Sequence, residues 1–174
     1  MFAVIFLLTI NTTTGVLFMS NRFLALPSLL AGLIFSSFTF AQDTAAAPLN
    51  YEMAQRAMTA ALAEARRNDW NLTIVIADHN GLPVMLHRMD GASERTYEIA
   101  LAKAKVVTET GLFSGEYGRR LEAGEIEEIE GGIHYAGGVP VMRNGEQIGA
   151  ITASGAQGTE DEQVSLAGAA AIGN

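Results

Sequence analysis

Imidazole and thioether groups alternate along one short stretch of this 174-residue chain, at Met85, His87 and Met89. Alternate residues of a β-strand point to the same side, so these side chains would form one face suited to a soft metal ion or a haem iron. The alternative is a structural face, in which the methionines fill the core and His87 lies at its edge. The spacing leaves both interpretations open, and His87 is one candidate iron ligand.

A second candidate iron ligand is His134, which precedes Tyr135 and the pair Gly137-Gly138. Glycines beside a strand often mark a place where a ligand or another backbone comes close. The pair could therefore admit a ligand to the backbone, although a bulge before Pro140 would also explain it. We prefer His134 to His87 as iron ligand because it lies just ahead of the glycine pair.

Two cations, Arg88 and Lys103, lie beside apolar stretches and could bind an anionic ligand. On a helical wheel Lys103 falls at the border of the apolar stripe, whereas Lys105 falls on the solvated face. Together with the glycine pair, they suit an anionic ligand with a flat apolar body, such as haem with its propionates, or a small carboxylate. For Arg88 the alternative is an ion pair with Asp90 or Glu94.

The chain lacks the sequence motifs that mark several classes of protein. It contains no Gly-x-Ser-x-Gly elbow, phosphate-binding loop, dinucleotide fingerprint or His-Glu-x-x-His motif, and no spacing ties Ser154-Gly155 to a histidine. The absence of cysteine excludes disulfides and thiolate sites. A formal net charge of −8 without a basic patch argues against nucleic acid as a partner. These observations favour a binding protein over an enzyme.

The elements that would carry these residues alternate between helices and hairpins. Asn50 is predicted to cap a helix that ends near Arg67-Asn68. The other predicted elements are strands over 72–78 and 82–89, a helix over 94–108, an acidic helical segment over 114–130, a hairpin turning at Asn144-Gly145, and a last helix capped by Thr159. Hairpins separated by helices imply an antiparallel sheet, of about five strands, covered by helices. We therefore predict a single α+β domain over residues 50–174.

Residues 1–41 have the features of a secretory signal. Arg22 supplies a positive charge ahead of the apolar run 23–35, and small residues precede a cleavage site after Ala41. Met19 is a second candidate start, and residues 42–49 form an alanine-rich spacer. The alternative is a retained membrane anchor. The pattern predicts a periplasmic or secreted mature protein.

Five stretches, in order and spacing, resemble the GlcG/HbpS family, which includes the C-terminal domain of the PduO proteins. They are "IVIADHNGLPVMLHRMDGA", "IALAKAK", "GGVPV", "IGAITASGA" and "DEQVSLAG". The resemblance runs from about Tyr51 to the C-terminus and includes Arg88, Lys103 and Gly137-Gly138. It does not single out an axial ligand for haem.

The resemblance implies a single α/β domain that assembles into higher oligomers. It also implies haem binding, in extracellular members linked to haem handling and to redox sensing beside a membrane sensor kinase. Small-residue helix faces at Ala100, Ala104, Ala167 and Ala171 likewise predict self-association. The first functional hypothesis is therefore haem capture, storage or sensing, the second a binding protein or enzyme for a small carboxylate using Arg88 and Lys103, and the third an oligomeric partner of a sensor system.

Overall fold

A computed structural model describes residues 47–172, which lie in one compact unit. The predicted signal, its cleavage site and most of the spacer lie outside the described residues. The elements are α1 (Tyr51–Arg67), β1 (Thr73–Asp78), β2 (Pro83–Arg88), α2 (Arg95–Thr110), α3 (Ser114–Glu122), β3 (Gly138–Arg143), β4 (Glu146–Ser154) and α4 (Gly158–Ala170). This order confirms the predicted α+β domain.

The described strands form one antiparallel sheet in the order β2-β1-β4-β3. It has four strands, one fewer than the predicted number of about five. The β3–β4 turn is the one the sequence predicts, since Asn144 and Gly145 have φ angles of 52° and 81°. Two positive φ values in succession match the twist of an antiparallel hairpin.

Helices cover both faces of the sheet. Ile74 and Ile76 pack with side chains of α1 and α4, whereas Val75 and Ala77 pack with Ala100 and Ala104 of α2. Successive strand residues point to opposite faces, so α1 and α4 lie on one side and α2 on the other. β1 is apolar almost without interruption because both of its faces are buried.

Local capping explains where two of the helices begin. Asn50 Oδ1 accepts a hydrogen bond from Met53 N at 3.0 Å, which confirms the predicted N-cap of α1. The last helix begins earlier than predicted: the backbone N–H of Gln157 donates to Glu160 Oε2 at 2.9 Å, so Gln157 and not Thr159 is the N-cap. Residues 160 and 161 place two carboxylates in the first turn, where the helix dipole favours negative charge.

The acidic segment predicted to be helical over 114–130 is helical only in its first half, which is α3. The helix ends at Glu122, and Gly124 follows with a φ of 71°, a left-handed conformation that ends helices. Glu125, Glu127, Glu128 and Glu130 are exposed. Within the described residues no three acidic or histidine side chains come close enough to hold a metal ion. The segment therefore presents a solvated acidic surface.

Two of the small residues expected to mediate self-association are used inside the chain instead. Ala100 and Ala104 are fully buried in α2 against the sheet. In α4, Gly168 lies close to the carbonyl of Ala57 and the side chain of Ala61, so its lack of a side chain lets α1 and α4 approach.

Between residues 47 and 172, no helix is long and apolar enough to cross a membrane.

Candidate functional site

An open cleft of about 1020 Å³ lies at the end of the sheet where β4 leads into α4. Its walls come from α2, from α3, from residues 134–136 and from the start of α4. Apolar side chains of Ile99, Phe113 and Tyr135 line it, as do four acidic and two basic side chains: Glu116, Glu122, Asp161, Glu162, Lys103 and Arg119. A cleft of this size is at the upper end of the range for small-molecule sites, about 300–1,000 Å³.

A buried ion pair forms the floor of the cleft. Lys103 Nζ donates to Asp161 Oδ2 at 2.9 Å and to the carbonyl of Ala153 at 2.8 Å. The two side chains are only 1% and 4% exposed. Asp161 Oδ1 also accepts a hydrogen bond from Ala156 N at 3.0 Å. Lys103 thus joins α2 to β4 and α4 across the end of the sheet.

Burial dominates the ionisation of this pair. It lowers the pKa of Lys103, because removing the ammonium from water disfavours its charged form, and the nearby carboxylates of Asp161 and Glu162 oppose that shift. Burial likewise raises the pKa of Asp161, against the opposing effects of Lys103 and of the Ala156 amide. The geometry is that of a charged pair, with both groups supplied with hydrogen-bond partners.

Gly137 leaves the space that this ion pair needs. Its φ is 124°, and a Cβ atom there would collide with Lys103 Nζ and lie 2.6 Å from Asp161 Cβ. At Gly138, the side chains of Val107 and Ser114 fill the space that a Cβ atom would take. Ser114 Oγ also accepts a hydrogen bond from Gly138 N at 2.8 Å. Both glycines are buried and neither lines the cleft.

Residues 134–136 form a cleft wall that rests on glycines of two helices. Gly115 and Gly118, one turn apart in α3, face Ala136 and the backbone of His134, and a Cβ at Gly118 would collide with the His134 carbonyl. Gly158, in the first turn of α4, lies on the same Ala136 methyl group. The close approach leaves the side chains of His134 and Tyr135 exposed at the cleft, with ring centroids 5.0 Å apart in an edge-to-face arrangement.

The structure separates the two candidate histidines. His134 lines the cleft, whereas His87 is exposed and pairs in register with Ile74, on the sheet face covered by α1 and α4. Met85 and Met89 pack on the core of that face, as the structural interpretation of this stretch predicts. His87 is not among the residues that line the cleft.

The two candidate cations are also separated. Lys103 is in the cleft floor, whereas Arg88 ends the edge strand β2 and is exposed. The Arg88 guanidinium donates to the carbonyl of Ala92 at 2.5 Å, and neither Asp90 nor Glu94 forms an ion pair with it. Arg88 does not line the cleft, so the structure does not bring the two cations to one ligand.

The model of the family described as "Haem degrading protein HbpS-like" matches residues 49–170, which is most of the chain. This chain belongs to the HbpS-like family. The family thus covers nearly all of the domain that the structure describes, including the cleft.

Individual relatives agree with this assignment. The chain is 32% identical to the protein GlcG of Escherichia coli K12 over 116 residues, 61% of this chain and 81% of GlcG. A double mutant of HbpS from Streptomyces reticuli superposes with a TM-score of 0.69 at 32% identity, over 75% of this chain and 91% of that one. The PduOC:heme complex superposes with a TM-score of 0.63 at 21% identity, over 73% and 96% of the two chains, which shows a shared fold.

In this HbpS-like domain, α3 and the residue before it contribute to the cleft in a way that the sequence did not predict. Arg119 and Phe113 line the cleft, and neither was a candidate site residue. The Gly-x-x-Gly spacing of Gly115 and Gly118 was an available signal, because two glycines one turn apart give a helix a face that another backbone can approach closely. Asp161 begins one of the stretches that resemble the family, but the sequence did not indicate it as the partner of Lys103.

Proposed function

We propose that this protein binds haem in the cleft between α2, α3 and residues 134–136. The observation that carries the proposal is the presence, in one cleft, of His134 and Tyr135 beside the apolar surfaces of Phe113 and Ile99. Imidazole and phenolate groups are both axial ligands of haem iron in proteins. The family description and the haem complex of PduOC support the same ligand class.

The cleft offers haem an apolar surface and one exposed cation. The exposed ring of Tyr135 and the side chains of Phe113 and Ile99 give the cleft apolar surface on which a flat macrocycle could pack. Arg119 is exposed at the cleft and could pair with a propionate, in competition with its neighbour Glu116. His134 would hold the iron, which when bound could exchange an electron or bind a small oxidant.

The charge of the cleft distinguishes haem from a small carboxylate. Acidic side chains outnumber basic ones there, and the ammonium of Lys103 is already paired with Asp161. A small anion would meet net repulsion without apolar surface to offset it, whereas most of the haem surface is apolar. Binding of a small carboxylate by Arg88 and Lys103 stays a prediction that no contact in the structure supports.

Hemin titration of the chain from Gln42 onward tests the proposal. The wild-type protein should give a Soret band distinct from that of free hemin. Replacing His134 by alanine should abolish or shift this band and weaken hemin binding at least ~10-fold, because a metal ligand is lost. His87→Ala is the matched control and should leave both the spectrum and the affinity unchanged.

The same titration examines the propionate contact. Arg119→Gln should weaken hemin binding roughly three- to ten-fold through loss of a charge-assisted hydrogen bond. The next residue, Arg120, pairs with Glu125 at 3.1 Å and does not line the cleft, so Arg120→Gln is the control. If wild-type protein leaves the hemin spectrum unchanged at micromolar concentration, the proposed function is wrong. If only His87→Ala loses the band, the haem site lies on the face of β2 instead.

We further propose that the mature protein is periplasmic or secreted, begins at Gln42, self-associates, and serves haem capture, storage or redox sensing beside a membrane sensor kinase. Large apolar side chains exposed in the described chain, including Leu82 and Met142 on or beside the two edge strands, support self-association.

Native mass spectrometry of protein recovered outside the cytoplasm tests location and assembly together. We expect multiples of a subunit mass that corresponds to a chain starting at Gln42. A subunit still carrying the residues before Gln42, recovered with the membranes, would contradict cleavage. A single subunit mass at micromolar concentration would contradict assembly.

A further inference from the structure

Several groups hold the backbone of Gly137 beside the buried ion pair. Its carbonyl accepts hydrogen bonds from Ser165 Oγ and from Ala153 N, each at 2.8 Å. The Lys103–Asp161 pair packs against its Cα, on the side where any other residue would carry a Cβ. All of these groups are buried. Gly137 is thus a point where α2, β4 and α4 meet.

This point is adjacent in sequence to the wall that carries His134 and Tyr135. Ala136, the residue between them and Gly137, is confined by Gly115 on one side and Gly158 on the other. On the C-terminal side, Gly138 N is fixed by Ser114 Oγ. The short wall therefore adjoins the point at which Gly137 is held, and the buried pair packs against that point.

We propose that Lys103 and Asp161 are positioning residues, which hold Gly137 and thereby set the place of His134 and Tyr135 at the cleft. The inference rests on the proposed function for the identity of the ligand, but the positioning itself concerns this chain alone. The pair acts through the backbone of residues 134–137. Lys103 Nζ donates its two hydrogen bonds to the Ala153 carbonyl and to Asp161. We therefore do not propose that it contacts the bound molecule.

The test replaces the pair by a neutral one, Lys103→Met with Asp161→Asn. The asparagine keeps an oxygen for the Ala156 amide, and no unpaired charge is left in the interior. The matched control is Lys105→Met with Glu109→Leu, which removes a half-exposed ion pair of 3.4 Å from the same helix. Hydrogen exchange measured by NMR on ligand-free protein reports on the amides of Gly138 and Ala153, and hemin titration reports on the cleft.

In the neutral-pair variant we expect exchange at Gly138 and Ala153 to be at least ten-fold faster, with hemin binding at least ten-fold weaker and a shifted Soret maximum. The control variant should match the wild type in every measurement. Unchanged exchange at both amides would overturn the inference, and so would faster exchange with unchanged hemin binding and spectrum, since the pair would then serve the fold alone.

Two further measurements keep the test decisive. If the neutral-pair variant does not fold, Ser165→Ala removes one hydrogen bond to the Gly137 carbonyl without touching the ion pair, and it should show the same changes in smaller degree. If wild-type protein binds no hemin, the proposed function fails, but the exchange rates still decide whether the pair holds Gly137.

Discussion

Replacing Lys103 by methionine should lower the free energy of unfolding by about 3–5 kcal/mol, the usual cost of breaking a buried ion pair from one side. The change leaves the carboxylate of Asp161 buried at 4% exposure with no cation beside it. It also leaves the Ala153 carbonyl without its donor. Urea unfolding followed by circular dichroism measures the effect.

The pH dependence of this loss identifies its cause. Burial already raises the pKa of Asp161 above the ordinary 3.8, and removal of Lys103 takes away the main effect that opposes the rise. The folded variant therefore binds a proton on Asp161 more readily than the unfolded chain does. The free energy of unfolding that the variant loses relative to wild type should be largest above the raised pKa of Asp161. This loss should shrink as the pH falls toward 3.8.

Two comparisons test this explanation. Adding Asp161→Asn to Lys103→Met should restore at least half of the lost stability, because no buried charge is then unpaired. Lys105→Met breaks only an exposed pair and should cost less than about 1 kcal/mol. A deficit for Lys103→Met that is independent of pH, or that the second substitution does not relieve, would show that lost packing and not an unpaired charge is responsible.

Gly137→Ala should lower the free energy of unfolding by about 3 kcal/mol or more. The residue has a φ of 124°, which an alanine rarely adopts, and its Cβ would meet the Lys103 ammonium, the Asp161 side chain and the Ala153 carbonyl. Because all three neighbours are tied to one another, none can move without breaking a buried hydrogen bond. Thermal or urea unfolding measures the loss.

Gly145→Ala is the matched control for Gly137→Ala. Gly145 also has a positive φ, 81°, but nothing lies within 4 Å of the position a Cβ would take. Its substitution isolates the backbone contribution, for which we expect about 1–2 kcal/mol. The difference between the two variants measures the collision with the ion pair together with the extra backbone strain at the larger φ of Gly137. Equal losses at the two positions would mean that the space beside Gly137 is not needed by Lys103.

Local sequence determined most of the secondary structure, because the interactions that decide it lie within a few residues of one another. Asn50 caps α1 through an amide three residues away, and Asn144-Gly145 sets the β3–β4 turn through its own φ angles. The helical wheel separated the two lysines of α2 correctly: Lys105 is half-exposed beside Glu109, and Lys103 is buried. The family resemblance was confirmed and fixed the fold class.

Tertiary structure decided what local patterns left open. Whether Met85 and Met89 were core or ligands depended on which face of β2 the helices α1 and α4 cover, and no residue within the strand encodes that. Lys103 and Asp161 are 58 residues apart in sequence, so neither the pair nor the space that Gly137 leaves for it could be read from spacing. Their meeting point exists only because α2, β4 and α4 converge at one end of the sheet, and such convergence is a property of packing between distant segments.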